Sequence, residues 1–223
     1  MRIYHGSDHI VSRPAYGQGK PYNDYGRGFY CTESLDLAKE WAVREAISGF
    51  ASQYDLAIDM LNVLELNSGS YTILHWLTIL LQHRTFETRT PLAAEGKRYL
   101  IENFNIDLTP YDVIIGCRAD DSYFSFAQDF LNGAISLRQL SHAMRLGKLG
   151  EQIVLKSPQA FERLTYSGYQ IADHHEWYPK KRERDHRARS AYQDMALNRY
   201  QKNDIYMTRI IDEGMKAGDV RLQ

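Results

Sequence analysis

The chain has 223 residues, of which 43% are apolar and 25% charged, and these proportions are ordinary for one large globular domain with an appendage. Its 27 basic and 28 acidic residues give a formal charge of -1, which excludes a protein whose whole surface attracts polyanions but leaves a local basic patch open. The two cysteines, Cys31 and Cys117, are far apart, which excludes a disulfide scaffold and a cysteine-rich zinc site.

The sequence contains no predicted export signal or membrane-spanning segment. Its first ten residues lack the basic start and apolar core of a signal peptide. The most apolar run, residues 71–81, is interrupted by His75 and is too short to span a bilayer. We therefore expect a cytoplasmic protein with reduced thiols and no membrane partner.

The pattern along the chain predicts alternating strands and helices. The first 30 residues are rich in glycine, tyrosine and proline, and they predict two short strands joined by a long loop. Apolar residues at helical spacing then predict a helix that is capped by Ser34 and continues to Ala46. The predicted strands lie at 2–4, 28–31, 62–66, 111–116, 151–156 and 165–172. The remaining predicted helices lie at 71–82, 91–104, 123–131, 137–146 and 158–164.

These elements predict an α+β domain over residues 1–175, with a helical insertion at 71–104. Residues 180–203 contain eight Lys/Arg and three Asp/Glu, and we expect 176–223 to form a charged helical C-terminal extension. Positive charge interleaved with tyrosines suits contact with a nucleic-acid backbone, and it equally suits a solvated helix. A further alternative is a partner-binding helix, with an apolar stripe that runs from Ile205 to Met215.

Three short motifs contain residues that could bind a ligand or take part in catalysis. His5 and Gly6 follow the first strand, where an imidazole would lie beside backbone that a flat ligand can approach closely; a structural histidine is the alternative. Tyr30 and Trp41 are separated by a strand-to-helix turn, so their rings either enclose a flat ligand or belong to the core. Glu151 begins an apolar strand, where it lies at the mouth of a cleft or is simply exposed.

The order of these motifs is more specific than any one of them. The segments YHGS, GRGFYCTESLDLAKEWA and EQIVL together resemble the three-part signature of the ADP-ribosyltransferase fold, in its branch with a His–Tyr–Glu pattern, which includes diphtheria toxin and the poly-ADP-ribose polymerases. The whole chain also resembles the bacterial family labelled domain of unknown function 3990. The resemblance implies a split β-sheet with surrounding helices.

The resemblance also implies a binding site for NAD, which the reaction consumes. His5 would bond the nicotinamide ribose, and the Gly6 backbone would hold the carboxamide. Ser7 would bond the carboxamide as well, or else cap a turn. Tyr30 and Trp41 would enclose the nicotinamide ring. Arg13 and Lys20, in the loop between the first two motifs, are candidates for the pyrophosphate.

Glu151 is the catalytic residue that the resemblance implies. Cleavage of the nicotinamide–ribose bond develops positive charge at the anomeric carbon, and a carboxylate in a water-poor site stabilises that charge. The adjacent Gln152 lies on the opposite face of the strand, so a shift of one residue would place Gln152 in the cleft instead. Leu149 occupies the position where arginine-modifying members of the fold have Glu or Gln, so a protein arginine is not the expected acceptor.

The expected function is transfer of ADP-ribose from NAD to a macromolecular acceptor, protein or nucleic acid. The resemblance further implies a toxin held in check by an antitoxin protein. The alternatives are an NAD glycohydrolase, which uses water as the acceptor, and a degenerate domain that only binds NAD or a partner. No metal is expected, because His174 and His175 are adjacent in a predicted exposed loop without a matching ligand set.

Overall fold

The computed structural model describes residues 1–119, 121–146, 150–196 and 202–222. Within these ranges the chain forms two β-sheets and eight α-helices, which confirms the α+β class. No helix in this part of the chain is both long and apolar enough to cross a membrane.

Seven strands form the two sheets. In chain order they are β1 (Arg2–Ser7), β2 (Phe29–Cys31), β3 (Gly49–Leu56), β4 (Val63–Glu65), β5 (Val113–Cys117), β6 (Glu151–Leu155) and β7 (Leu164–Ala172). The first sheet has the order β1-β3-β7 and is antiparallel throughout. The second has the order β2-β6-β5-β4, and its β4–β5 pair is parallel. Paired backbone hydrogen bonds of 2.7 and 2.9 Å between Tyr4 and Thr32 join the two sheets.

Six of the eight described helices lie in connections between strands, and the other two follow the last strand. In chain order the helices are α1 (Leu35–Ala42), α2 (Ile73–His83), α3 (Pro91–Phe104), α4 (Asp121–Leu131), α5 (Leu137–Ala143), α6 (Pro158–Glu162), α7 (His174–Ala196) and α8 (Met207–Asp212). Hydroxyl side chains begin several of them, as predicted for Ser34, whose Oγ accepts the backbone N–H of Leu37 at 3.3 Å.

The structure corrects the prediction for residues 43–56. The helix that starts after Ser34 ends at Ala42 instead of continuing, and Ala46 has a φ of 58°, which a helix interior does not allow. The chain then enters β3, the central strand of the first sheet, which the sequence pattern did not reveal. Its burial pattern lacks regular alternation, because the consecutive residues Ala51 and Ser52 are both buried, and its pairing with β7 shifts register at Gln53/Tyr54.

The second sheet lies between two apolar layers. Ile153 and Leu155 of β6 pack with Ile3 and Tyr54 of the first sheet. Their neighbour Val154 faces the larger cluster, to which α2, α3, α4, α5 and α8 contribute. This alternation fixes the register of β6, and therefore which residue at its start faces which side.

The C-terminal region packs into this larger cluster. Tyr192 of α7 stacks on Phe126, with ring centroids 3.7 Å apart, and Met207, Ile210 and Met215 are fully buried. The hypothesis of an apolar stripe that awaits a partner is therefore wrong, because the core of the same chain already covers these side chains.

Gly6 allows α1 to pack directly on β1. A Cβ at this position would lie 1.9 Å from the carbonyl oxygen of Ala38 and 2.9 Å from Cβ of Trp41. We expect Gly6→Ala to push α1 away and to lower the free energy of unfolding by about 3 kcal/mol, measured by urea denaturation. The control Gly17→Ala meets no neighbour within 4 Å and carries only the strain of a φ of 84°, about 1 kcal/mol. Equal losses in the two variants would contradict this role of Gly6.

Candidate functional site

A cavity of about 630 Å³ opens where the two sheets meet. The end of β1, the start of β2, the start of β6 and the last turn of α1 surround it, and the loop 8–28 lies across it. This volume is within the usual range for small-molecule sites. The cavity collects the predicted residues His5, Gly6, Tyr30, Trp41 and Gln152.

His5 is held in one tautomer by the backbone. Its Nδ1 lies 2.7 Å from the carbonyl oxygen of Tyr30, and since a carbonyl only accepts, Nδ1 carries the proton. Burial lowers the pKa of His5, and the bond to Tyr30 only partly opposes this effect. The imidazole is therefore neutral near pH 7, and Nε2 is an acceptor that suits a ligand hydroxyl.

The Tyr30 side chain ties the cavity wall to the preceding loop. Its hydroxyl donates to the carbonyl of Gly26 at 2.6 Å and accepts the backbone N–H of Tyr25 at 3.0 Å. These bonds engage the hydroxyl, so the part of Tyr30 available to a ligand is its ring. A flat apolar face in a cavity favours a flat ligand.

Trp41 lies at the same cavity and has an unsatisfied donor. The guanidinium of Arg118 lies 4.5 Å from its ring centroid. The indole Nε1 is buried and has no hydrogen-bond partner. A buried N–H without a partner costs free energy, and a ligand carbonyl in the cavity would remove that cost.

The register of β6 places Gln152, and not Glu151, in the cavity. Tyr30 is paired with Val154 across the β2–β6 ladder, so Gln152, two residues earlier, shares their face. Glu151 lies on the other side of the strand, is exposed, and accepts a hydrogen bond from Nδ2 of Asn67 at 2.5 Å. The expectation that Glu151 faces the cleft is therefore wrong, and the alternative with Gln152 is the one observed.

A carboxylate is nevertheless present in the cavity, contributed by Asp24. Its Oδ2 accepts from the backbone N–H of Ala119 at 3.0 Å and from Nε2 of Gln152 at 3.4 Å, and its Oδ1 accepts from Arg84 at 3.2 Å. Burial raises the pKa of Asp24, while Ala119 and Arg84 oppose that shift. Sequence reasoning missed Asp24, because it lies in a loop where no periodicity indicates which side chains turn inward.

The Asp24 contact also fixes the orientation of the Gln152 amide. A carboxylate accepts hydrogen bonds, so the amide nitrogen of Gln152 must face Asp24. The Oε1 of Gln152 is consequently buried without a hydrogen-bond partner. It is an acceptor that a ligand hydroxyl in the cavity would satisfy.

Besides Glu151, two predicted residues lie outside the cavity lining, and one lies outside the described part of the chain. Ser7 is half-buried, and its Oγ donates to the carbonyl of His9 at 2.7 Å. Arg13 is exposed and does not line the cavity, whereas Lys20, Arg84 and Arg118 do. Positive charge at this site therefore comes from residues other than Arg13. Leu149 is not among the described residues.

The residues around His174 begin α7 and do not form the exposed loop that the sequence predicted. Asp173, His174 and His175 place their ligand atoms within 4.8 Å of one another, close enough to hold a metal ion. The Nδ1 of His174 already lies 3.0 Å from Oγ of Ser48. This group does not line the cavity and has no part in the site described above.

Most of the chain matches the sequence model of a protein family. Residues 1–166 match the family described as "Protein of unknown function (DUF3990)", and the chain belongs to that family. No curated protein and no solved structure matches the chain. The matched residues include both sheets except the end of β7, and all the cavity residues described above.

The neutral state of His5 predicts a pH dependence of stability. Because burial lowers the pKa of the folded form below the unfolded value of about 6.5, the unfolded chain binds more protons between the two values. The free energy of unfolding should therefore fall as the pH drops from about 7.5 to about 5. His5→Gln lacks this group and should show a weaker fall, measured by urea denaturation across that range.

His75 and His83, whose pKa values burial also lowers, are present in both proteins and cancel in the difference. An identical fall in wild type and His5→Gln would contradict the assignment of a buried, neutral His5.

Proposed function

We propose that the cavity binds NAD and that the protein transfers ADP-ribose from NAD to a macromolecular acceptor, with release of nicotinamide. The proposal combines the three-motif resemblance to ADP-ribosyltransferases with the arrangement of the motif residues. The join between two sheets corresponds to the split sheet that the resemblance implies. The first two motifs and the start of the third meet at one cavity there.

The main structural support for this proposal is a set of polar atoms in the cavity that have no hydrogen-bond partner. Gln152 Oε1 and Trp41 Nε1 are both buried without partners, and His5 Nε2 adds a second acceptor. A nicotinamide riboside offers the matching groups, since ribose hydroxyls donate and the carboxamide oxygen accepts. Its flat ring suits the Tyr30 and Trp41 ring faces. NAD therefore fits the residues present.

Asp24 supplies the negative charge that the cleavage step needs. When the bond between the ribose C1′ and the nicotinamide nitrogen breaks, its electron pair stays on the nitrogen and neutralises the pyridinium. Positive charge remains on the ribose, and a buried carboxylate close by stabilises it. An O–H or N–H group of the acceptor then bonds to C1′ and releases its proton to water. Gln152 holds the Asp24 carboxylate and accepts from the ribose.

The two carboxylates near the start of β6 give a matched test. We expect Asp24→Asn to lower nicotinamide release from NAD by about 100-fold, because the charge is lost while shape is kept. Glu151→Gln removes the same charge on the opposite side of β6 and should stay within about twofold of wild type. Chromatography of nicotinamide over time measures both variants.

A loss in Glu151→Gln with full activity in Asp24→Asn would contradict the role of Asp24. Gln152→Ala provides a second test if Asp24→Asn folds poorly, because it removes the unpartnered Oε1 and keeps the charge. It should weaken NAD binding by about 10-fold, measured by the thermal shift at increasing NAD. Labelled NAD added with cell lysate separates transfer, which labels a macromolecule, from hydrolysis to free ADP-ribose.

The second candidate is a domain that binds NAD without cleaving it. A neutral side chain, Gln152, occupies the cavity-facing position near the start of β6, and Arg84 pairs with the Asp24 carboxylate. A binding domain should show a thermal shift with NAD but no nicotinamide release, with or without lysate. Release that depends on Asp24 would reject this candidate.

A further inference from the structure

A second pocket, of about 530 Å³, adjoins the cavity and is strongly basic. One side is the surface of α7 from Tyr178 to Arg189, and the other is formed by residues near the ends of α2 and β5. One carboxylate, that of Asp185, and six basic side chains line it: Arg84, Arg118, Lys181, Arg182, Arg184 and Arg189. We refer to it as the α7 pocket.

The basic side chains of the α7 pocket are held close together by the fold. Arg184 is nearly buried and bonds the carboxylate of Glu40 on α1 at 2.6 Å, which fixes α7 against α1. Lys181 donates to the carbonyl of Val43 at 3.1 Å. Burial lowers the pKa of Lys181, and the nearby Arg118 and Arg184 lower it further. An anion in the pocket would relieve this repulsion.

The α7 pocket meets the proposed NAD cavity beside Asp24. Arg84, Arg118 and Ala119 line both spaces. Arg84 and Ala119 are also two of the three residues that donate to the Asp24 carboxylate. A molecule in the α7 pocket therefore lies next to the group that we assign to stabilising the ribose cation. In the transfer reaction proposed above, the ADP-ribose acceptor would have to lie in this position.

The residues of α7 that line the α7 pocket extend along the helix from Tyr178 to Arg189. From Tyr178 to Arg189 the helix rises about 16 Å. That length accommodates roughly four phosphates at the ~3.4 Å rise of a stacked strand. Half-buried Tyr178 provides a ring at one end, and aromatic rings stack on bases in single-strand sites. A concave pocket suits a flexible single strand better than a stiff duplex.

We propose that the α7 pocket binds the phosphate backbone of single-stranded nucleic acid and presents it as the ADP-ribose acceptor. The acceptor part of this inference rests on the function proposed above, whereas the binding part does not. In the reaction, an O–H or N–H group of the strand bonds to C1′ after the C1′–nicotinamide bond has broken. The electron pair of that bond leaves with nicotinamide, and the proton of the strand passes to water.

Two double variants test the pocket: one removes positive charge inside it, and the other removes positive charge outside it. Arg182 and Arg189 line the pocket and are exposed, so their replacement leaves the core intact. Arg187 lies on the same helix outside the pocket and pairs with Glu183, and Arg98 pairs with Glu95 and Glu102 on α3. The double variants R182Q/R189Q and R98Q/R187Q therefore remove the same charge inside and outside the pocket.

Fluorescence anisotropy with labelled 12-residue oligonucleotides, DNA and RNA, measures binding of the full chain without NAD. We expect R182Q/R189Q to weaken binding by about 10-fold or more and to reduce the slope of log K against log salt by about 1.4. R98Q/R187Q should stay within about twofold of wild type. A duplex of the same sequence should bind about 10-fold more weakly than the single strand.

Any one of four outcomes would overturn the inference. Either the two double variants weaken binding equally, or the duplex binds as tightly as the strand, or wild type binds no oligonucleotide. Displacement of the oligonucleotide by ADP-ribose, together with loss of the NAD thermal shift in R182Q/R189Q, would assign the pocket to the donor and also overturn it.

The outcomes for the two proposals are separable. Nicotinamide release that depends on Asp24, without oligonucleotide binding, would sustain the proposed function and reject the nucleic-acid acceptor. Pocket-dependent oligonucleotide binding, without any nicotinamide release in its presence, would reject transfer and leave the binding part of the inference standing. Radiolabel from NAD on the oligonucleotide, lost in R182Q/R189Q and kept in R98Q/R187Q, would sustain both.

Discussion

The candidate site depends on one buried carboxylate that three separate parts of the chain hold in place. Asp24 comes from the loop 8–28, yet its hydrogen-bond partners come from the ends of α2, β5 and β6: Arg84, Ala119 and Gln152. An ionised carboxylate is expensive to bury unless it is paired and hydrogen-bonded. The partners offset that cost only when all three segments converge, so the pairing ties the loop to both strands. The contacts of Asp24 therefore both hold the cavity wall together and keep a negative charge inside the cavity.

The same cavity keeps polar groups that the protein itself does not satisfy. Gln152 Oε1 and Trp41 Nε1 are buried without partners, in a fold where other buried polar side chains, such as Thr78 and Gln139, are bonded. Each such group lowers stability, and proteins tolerate this mainly at functional sites. The two atoms differ in kind, one acceptor and one donor. A ligand that satisfies both must carry a hydrogen-bond donor and an acceptor on a flat frame. Purely apolar ligands do not meet this requirement.

The basic segment at 180–189 shows how one helix serves both the core and the surface. From its charge alone, this segment would be expected to form a solvated helix. In the structure, four side chains of α7 are buried: Trp177, Ala188, Tyr192 and Met195. The apolar side anchors the helix against α1, α4 and α5, and the Glu40–Arg184 pair fixes its position against α1. With the helix anchored, its remaining cations face Arg84 and Arg118 across a fixed gap. A flexible tail of the same composition would not maintain such a pocket.

Sequence by itself determined the features that local physics controls. Helix caps such as Ser34, the apolar run of α2, the helical spacing in α3 and the β-branched run of β5 each depend on neighbours within a few residues, so their patterns are visible in the chain. The motif order also singled out His5, Gly6, Tyr30 and Trp41, and these four residues line one cavity.

Only the tertiary structure decided the remaining features. The inward side of β6 follows from packing between two apolar layers, which selects Gln152 over Glu151. The place of β3 follows from its pairing with β1 and β7, both distant in sequence. Asp24 lies in an irregular loop, where nothing local indicates direction. In each case the deciding contacts join segments far apart in the chain, and such contacts leave no periodic signal within the segment itself.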